Sequence, residues 1–163
     1  MLQYALPIFL GAFLLFQVQP LIARCLLPWF GGMPAVWTTC MLFFQVLLLG
    51  GYAYAHWLAT RLRPRGQALL QGAVLALSLA LLAAQWRHWG GPLIPAAAWK
   101  PADPDAPVRH LLLLLAVTVG LPYFVLATTS PLLQAWCSRA RPGVAPYRLY
   151  MLSNAGSLLA LLT

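Results

Sequence analysis

The chain has 163 residues, of which 62% are hydrophobic and 7% are charged, and its formal net charge is +8. Soluble domains carry about 25% charged residues, so too few ionised groups are present to clothe a water-facing surface, and the chain reads as an all-α polytopic membrane protein. The basic residues fall in short clusters between oily segments, with no basic, base-stacking stretch in a polar context; they give no footing for a nucleic-acid partner and point to orientation in a bilayer.

The N-terminus lacks the basic region of a signal peptide, and Arg24 directly before Cys25 spoils a lipoprotein-type cleavage site. The first apolar run, residues 4–26, is therefore expected to persist as a membrane helix. Its end is the most punctuated part of the chain. Gln17, Gln19 and Arg24 sit where the helix closes, and Pro20 removes a backbone donor inside it. Pro28, Gly31, Gly32 and Pro34 spell a turn, flanked by Trp29 and Trp37 at the expected membrane boundary.

A second helix is expected over residues 35–58, a third over 67–86 and a fourth over 110–133, each long enough for the roughly 20 residues a bilayer requires. A fifth apolar segment starts near Tyr147 and still runs at Thr163. The expected architecture is thus four full transmembrane helices plus the start of a fifth. All of 1–163 reads as the N-terminal part of a longer membrane domain with no soluble catalytic domain.

Small residues recur every four positions as Gly51, Ala55, Ala59 and again as Gly72, Ala76, Ala80, Ala84. Such stripes let backbones approach closely in lipid, so the second and third helices are expected to form a tight antiparallel hairpin. In the fourth helix Pro122 and Pro131 each leave a carbonyl unpaired, and Thr128, Thr129 and Ser130 supply hydroxyls that can pair the freed groups. This is either a plain kink or a broken helix lining a cavity.

Arg61, Arg63 and Arg65 fill the short second loop, and Arg139, Arg141 and Arg148 the fourth. Dense basic residues in short loops mark the cytoplasmic side, which places the N-terminus of this multi-pass protein inside. The long third loop, 87–109, is proline-rich, carries the only acids, Asp103 and Asp105, and is expected to be a solvated excursion on the outer face.

The apolar segments contain no Asp, Glu or Lys, so the buried carboxylate of a proton-coupled transporter is missing. Cys25, Cys40 and Cys137 form no closely spaced pair, and His56, His88 and His110 are scattered, which argues against a metal site. No nucleophile and base stand together, so no catalytic residue and no cofactor are assigned to this chain. What remains is neutral and polar. The candidate substrate-binding residues are Gln17, Gln19, Arg24, Gln45 and Asn154, with Thr38, Thr39, Ser153 and Ser157 beside them. Two readings stand: these groups bond helix to helix, or they line a polar pocket with Arg24 at its mouth.

The stretches Leu15-Phe16-Gln17-Val18-Gln19-Pro20, Leu27-Pro28-Trp29-Phe30-Gly31-Gly32, Pro34-Ala35-Val36-Trp37-Thr38-Thr39-Cys40 and Phe43-Phe44-Gln45 resemble the membrane half of bacterial fused major-facilitator/spermidine-synthase proteins. Thr128-Thr129-Ser130-Pro131-Leu132-Leu133-Gln134 and the run from Tyr147 to Ala160 are similar as well. The resemblance implies further membrane helices and then a soluble aminopropyltransferase-like domain using decarboxylated S-adenosylmethionine and a polyamine. It implies, for this chain, a membrane module that anchors or serves that domain. A small-solute transporter in its own right, or a truncated structural module, are the alternatives. The loop 61–66 lacks the Asp of the usual facilitator signature.

Overall fold

Inside a bilayer the backbone must satisfy its own hydrogen bonds, and a long apolar run does so as a helix. The computed structural model describes residues 2–30, 34–89, 107–140 and 147–163, and every secondary-structure element among them is helical. In chain order these are α1 (Leu2–Leu26), a 3-10 turn (Leu27–Trp29), α2 (Pro34–Arg61), α3 (Pro64–Trp89), α4 (Pro107–Leu115), a π-helical segment (Ala116–Gly120), α5 (Leu121–Ala140) and α6 (Tyr147–Leu162). Four spans are long and apolar enough to cross a membrane: Gln3–Trp29, Pro34–Arg61, Pro64–Trp89 and Val108–Ala140. The last joins α4, the π segment and α5 into one continuous run. The described residues form an all-α helix bundle with four spans of membrane-crossing length, and α6 is a further helix of 16 residues. The turn expected at Gly31 and Gly32 and the excursion expected around Asp103 and Asp105 lie outside the described residues.

α5 is the hub, packed on α1, α2 and α3, while α6 lies along α1. The main apolar core gathers Leu15, Phe44, Leu114, Val119 and Tyr123 from α1, α2, α4, the π segment and α5. Two glycines set the closest approaches. Gly51 of α2 faces Ala127 of α5, and Gly156 of α6 faces Phe9 of α1.

The expected hairpin of α2 and α3 is not formed. Gly51 and Ala55 are buried, but their partners are on α5, at Ala127 and Leu132. Gly72, Ala76, Ala80 and Ala84 are all exposed, and a Cβ on Gly72 would meet nothing within 4 Å. α3 instead turns its polar side inward. Gln67 is 0% exposed whereas Leu69 is 76% exposed, and Ser78 and Gln85 are buried too. The physical reason is the solvent: in lipid an amide without a partner costs several kcal/mol, whereas a close approach of small residues yields only dispersion contacts.

The π segment has a local cause. Pro122 has no N–H, so the carbonyls four and five residues before it, Thr118 and Val117, lose a donor. The side-chain amide of Gln85 on α3 donates to both, at 2.9 Å to Val117 and 3.0 Å to Thr118. At the second proline the hydroxyls act nearby: Thr128 and Thr129 both donate to the Val125 carbonyl, at 2.8 and 2.7 Å.

Candidate functional site: a polar groove between α2, α5 and α6

Three hydrophilic side chains of α5 fall on one face, away from its contact with α3. Ser130, Gln134 and Ser138 are spaced four apart, so they stack in a row along the helix. α2 contributes Tyr52 to one side of this row, and α6 contributes Tyr150, Ser153 and Asn154 to the other. Pro131 and Ala135 complete the lining of a groove of about 480 Å³. It lies toward the end of the bundle where α2 finishes at Arg61, α5 at Arg139 and Ala140, and α6 begins at Tyr147.

Some groups in the groove are already engaged. Gln134 donates to the Ser130 hydroxyl at 3.0 Å, and Ser130 makes a long 3.5 Å contact to the Ser153 hydroxyl. Ser138 donates to the Ala135 carbonyl and Ser157 to the Ser153 carbonyl, at 3.0 and 2.9 Å. Others stay available. Among the described residues, the carboxamide oxygen of Gln134 and the whole carboxamide of Asn154 make no hydrogen bond. Among the described residues no ionised side chain lines the groove. Its vocabulary is therefore amide, hydroxyl and aromatic face, which suits neutral polar groups and, through carbonyl oxygens and tyrosine rings, an ammonium.

The five residues singled out from the sequence are distributed. Asn154 lines the groove; the other four are not among its lining residues. Gln45 is exposed on α2, seven positions before Tyr52 and thus on the same face roughly 10 Å away. It extends the polar line of the groove rather than closing it. Gln19 donates at 2.5 Å to the hydroxyl of Tyr123, a fully buried ring packed on Phe44, and so ties α1 to α5. Gln17 donates to the Thr163 hydroxyl at 2.6 Å and ties α1 to the end of α6. Arg24 is exposed in the last turn of α1. Gln17 and Gln19 thus each bond one helix to another.

Sequence reasoning passed over Tyr52, Gln134, Ser138 and Tyr150. The row Ser130, Gln134, Ser138 is a readable signal, three polar residues at helical spacing beside a proline. It passed over Gln67, Gln71 and Gln85 as well. Gln71 donates to the Thr128 hydroxyl at 2.8 Å, so all three glutamines stitch α3 onto the span that contains α5. Among the described residues no three His, Cys, Asp or Glu side chains come together as a metal would need. No family model matches the chain, and no curated protein or solved structure matches it.

Proposed function

We propose that the protein is a transporter-like membrane module that holds a small polar solute in the groove of α2, α5 and α6. The observation that carries this is the groove itself: the carboxamide oxygen of Gln134, the carboxamide of Asn154, two tyrosines and three serines line one open volume in an otherwise oily bundle. Its partner is the soluble aminopropyltransferase-like domain that the resemblance implies, and its solute is a polyamine or a related amine. The carboxamide oxygens of Gln134 and Asn154 accept from an ammonium, and the rings of Tyr52 and Tyr150 offer it their faces. The basic end of the bundle faces the cytoplasm of a bacterial inner membrane, in keeping with the arginines at 61, 63, 65, 139 and 148.

The test is thermal unfolding of the purified protein in detergent, with and without spermidine. Spermidine raises Tm, because a ligand that binds only the folded state stabilises it. Gln134→Leu combined with Asn154→Leu removes the rise while leaving the Tm without solute nearly unchanged. No rise, or a rise that the double variant retains, contradicts the reading. A purely structural membrane module is the second reading, favoured by the engagement of Gln17 and Gln19 in ties between helices.

A further inference from the structure

A second cavity, of about 400 Å³, opens on the other side of α5 and is lined by Tyr4, Pro64, Ala68, Trp136, Arg139 and Ala140. We propose that it is a binding site for an anionic phospholipid, with Arg139 on the phosphate.

The guanidinium is held in place before any ligand arrives. It donates to the Ala59 carbonyl at 2.8 Å and to the Gln67 amide oxygen at 3.3 Å. Gln67 is itself fixed, since Trp136 donates to the same oxygen at 2.7 Å and the Gln67 amide donates to the Leu62 carbonyl at 2.7 Å. Both acceptors of Arg139 are neutral. Among the described residues there is no Asp or Glu to pair with this charge. An arginine has five N–H donors, and two are engaged here. Arg139 lines the cavity together with Pro64, the first residue of α3, and Ala140, the last of α5, so the two helix ends oppose each other and the arginine supplies the net positive charge.

The surroundings select a lipid over a free anion. Apart from Arg139 the lining is largely apolar, and Tyr4 and Trp136 are the residue types found at headgroup level. From Ala68 the same face of α3 continues through Gly72, Leu75 and Leu79, all exposed. That line of small and aliphatic residues is a track for an acyl chain, running from the phosphate position toward the middle of the span. Phosphate at the arginine and hydrocarbon along α3 is the arrangement of a phospholipid standing in its own leaflet.

Native mass spectrometry of the purified protein in detergent tests this, with phosphatidylglycerol, phosphatidylcholine and inorganic phosphate as the probes. Phosphatidylglycerol is expected to bind about tenfold more tightly than phosphatidylcholine, as a charge-assisted arginine contact to an uncompensated anion implies. Arg139→Gln and Ala68→Trp each abolish that preference, whereas Arg148→Gln, at the same end but outside the cavity, keeps it. Ala68→Trp fills the cavity and leaves Arg139 and its partners intact, so it decides the matter even where Arg139→Gln does not fold. Equal binding of the two lipids, a preference that survives Ala68→Trp, or equal losses in Arg139→Gln and Arg148→Gln overturn the site. Displacement of phosphatidylglycerol by inorganic phosphate overturns the lipid as its occupant.

Discussion

Gly156 of α6 lies so close to Phe9 of α1 that a Cβ on the glycine would stand 2.6 Å from the Phe9 carbonyl oxygen. The obstacle is backbone, which cannot swing aside, and the Phe13 amide nitrogen follows at 3.4 Å. Gly156→Ala must therefore push α6 away from α1. A loss of roughly 1–3 kcal/mol is expected, the usual cost of overpacking a tight contact. Because α6 carries Tyr150, Ser153 and Asn154, the same displacement should weaken solute binding in the groove. A Tm in detergent equal to that of the parent protein would show that the helices do not meet here.

Gly51 gives a sharper version of the same test. A Cβ there would lie 2.7 Å from the Ala127 Cβ and 3.3 Å from the Ala127 carbonyl carbon. Gly51→Ala should destabilise, and adding Ala127→Gly should recover much of the loss by clearing the first of these clashes. Gly72→Ala, in open space, should be neutral or stabilising by up to about 1 kcal/mol, the helix preference for alanine over glycine. If Gly72→Ala were the damaging change and Gly51→Ala the harmless one, α2 would be packed on α3 and not on α5.

Gln85 and Pro122 form a thermodynamic pair. Gln85→Leu leaves the Val117 and Thr118 carbonyls without their side-chain donor, at a cost of roughly 1–3 kcal/mol for the buried Thr118 carbonyl. Pro122→Ala returns a backbone N–H beside those carbonyls. Gln85→Leu should therefore cost less in the Pro122→Ala background than in the parent, a coupling that a double-mutant cycle in detergent measures. Additive losses would mean that the amide serves some other purpose.

These contacts show which parts of the molecule could be read from residues alone. Spans were legible because their length and apolarity answer directly to the bilayer. The orientation of α3 was legible too, in Gln67, Gln71, Ser78 and Gln85. Their spacings of four, seven and seven place them on one face. The competing stripe of Gly72, Ala76, Ala80 and Ala84 obscured it, because alanine is frequent throughout this chain. The partners of Gln17 and Gln19 were not legible, since Thr163 and Tyr123 lie 146 and 104 positions away. No local pattern says which distant helix a glutamine will meet. Asn154 was singled out from its polarity. The groove around it was missed, because it exists only once α2, α5 and α6 are brought together.

The account depends most on α2, α5 and α6 enclosing a groove that water reaches, while the outer face of α3 meets lipid. Maleimide labelling in intact membranes measures this directly, in a protein whose Cys25, Cys40 and Cys137 are replaced by alanine. Asn154→Cys should react readily with a water-soluble maleimide, and Leu77→Cys, on the exposed face of α3, should not. Rapid labelling at Leu77→Cys with none at Asn154→Cys would contradict the account.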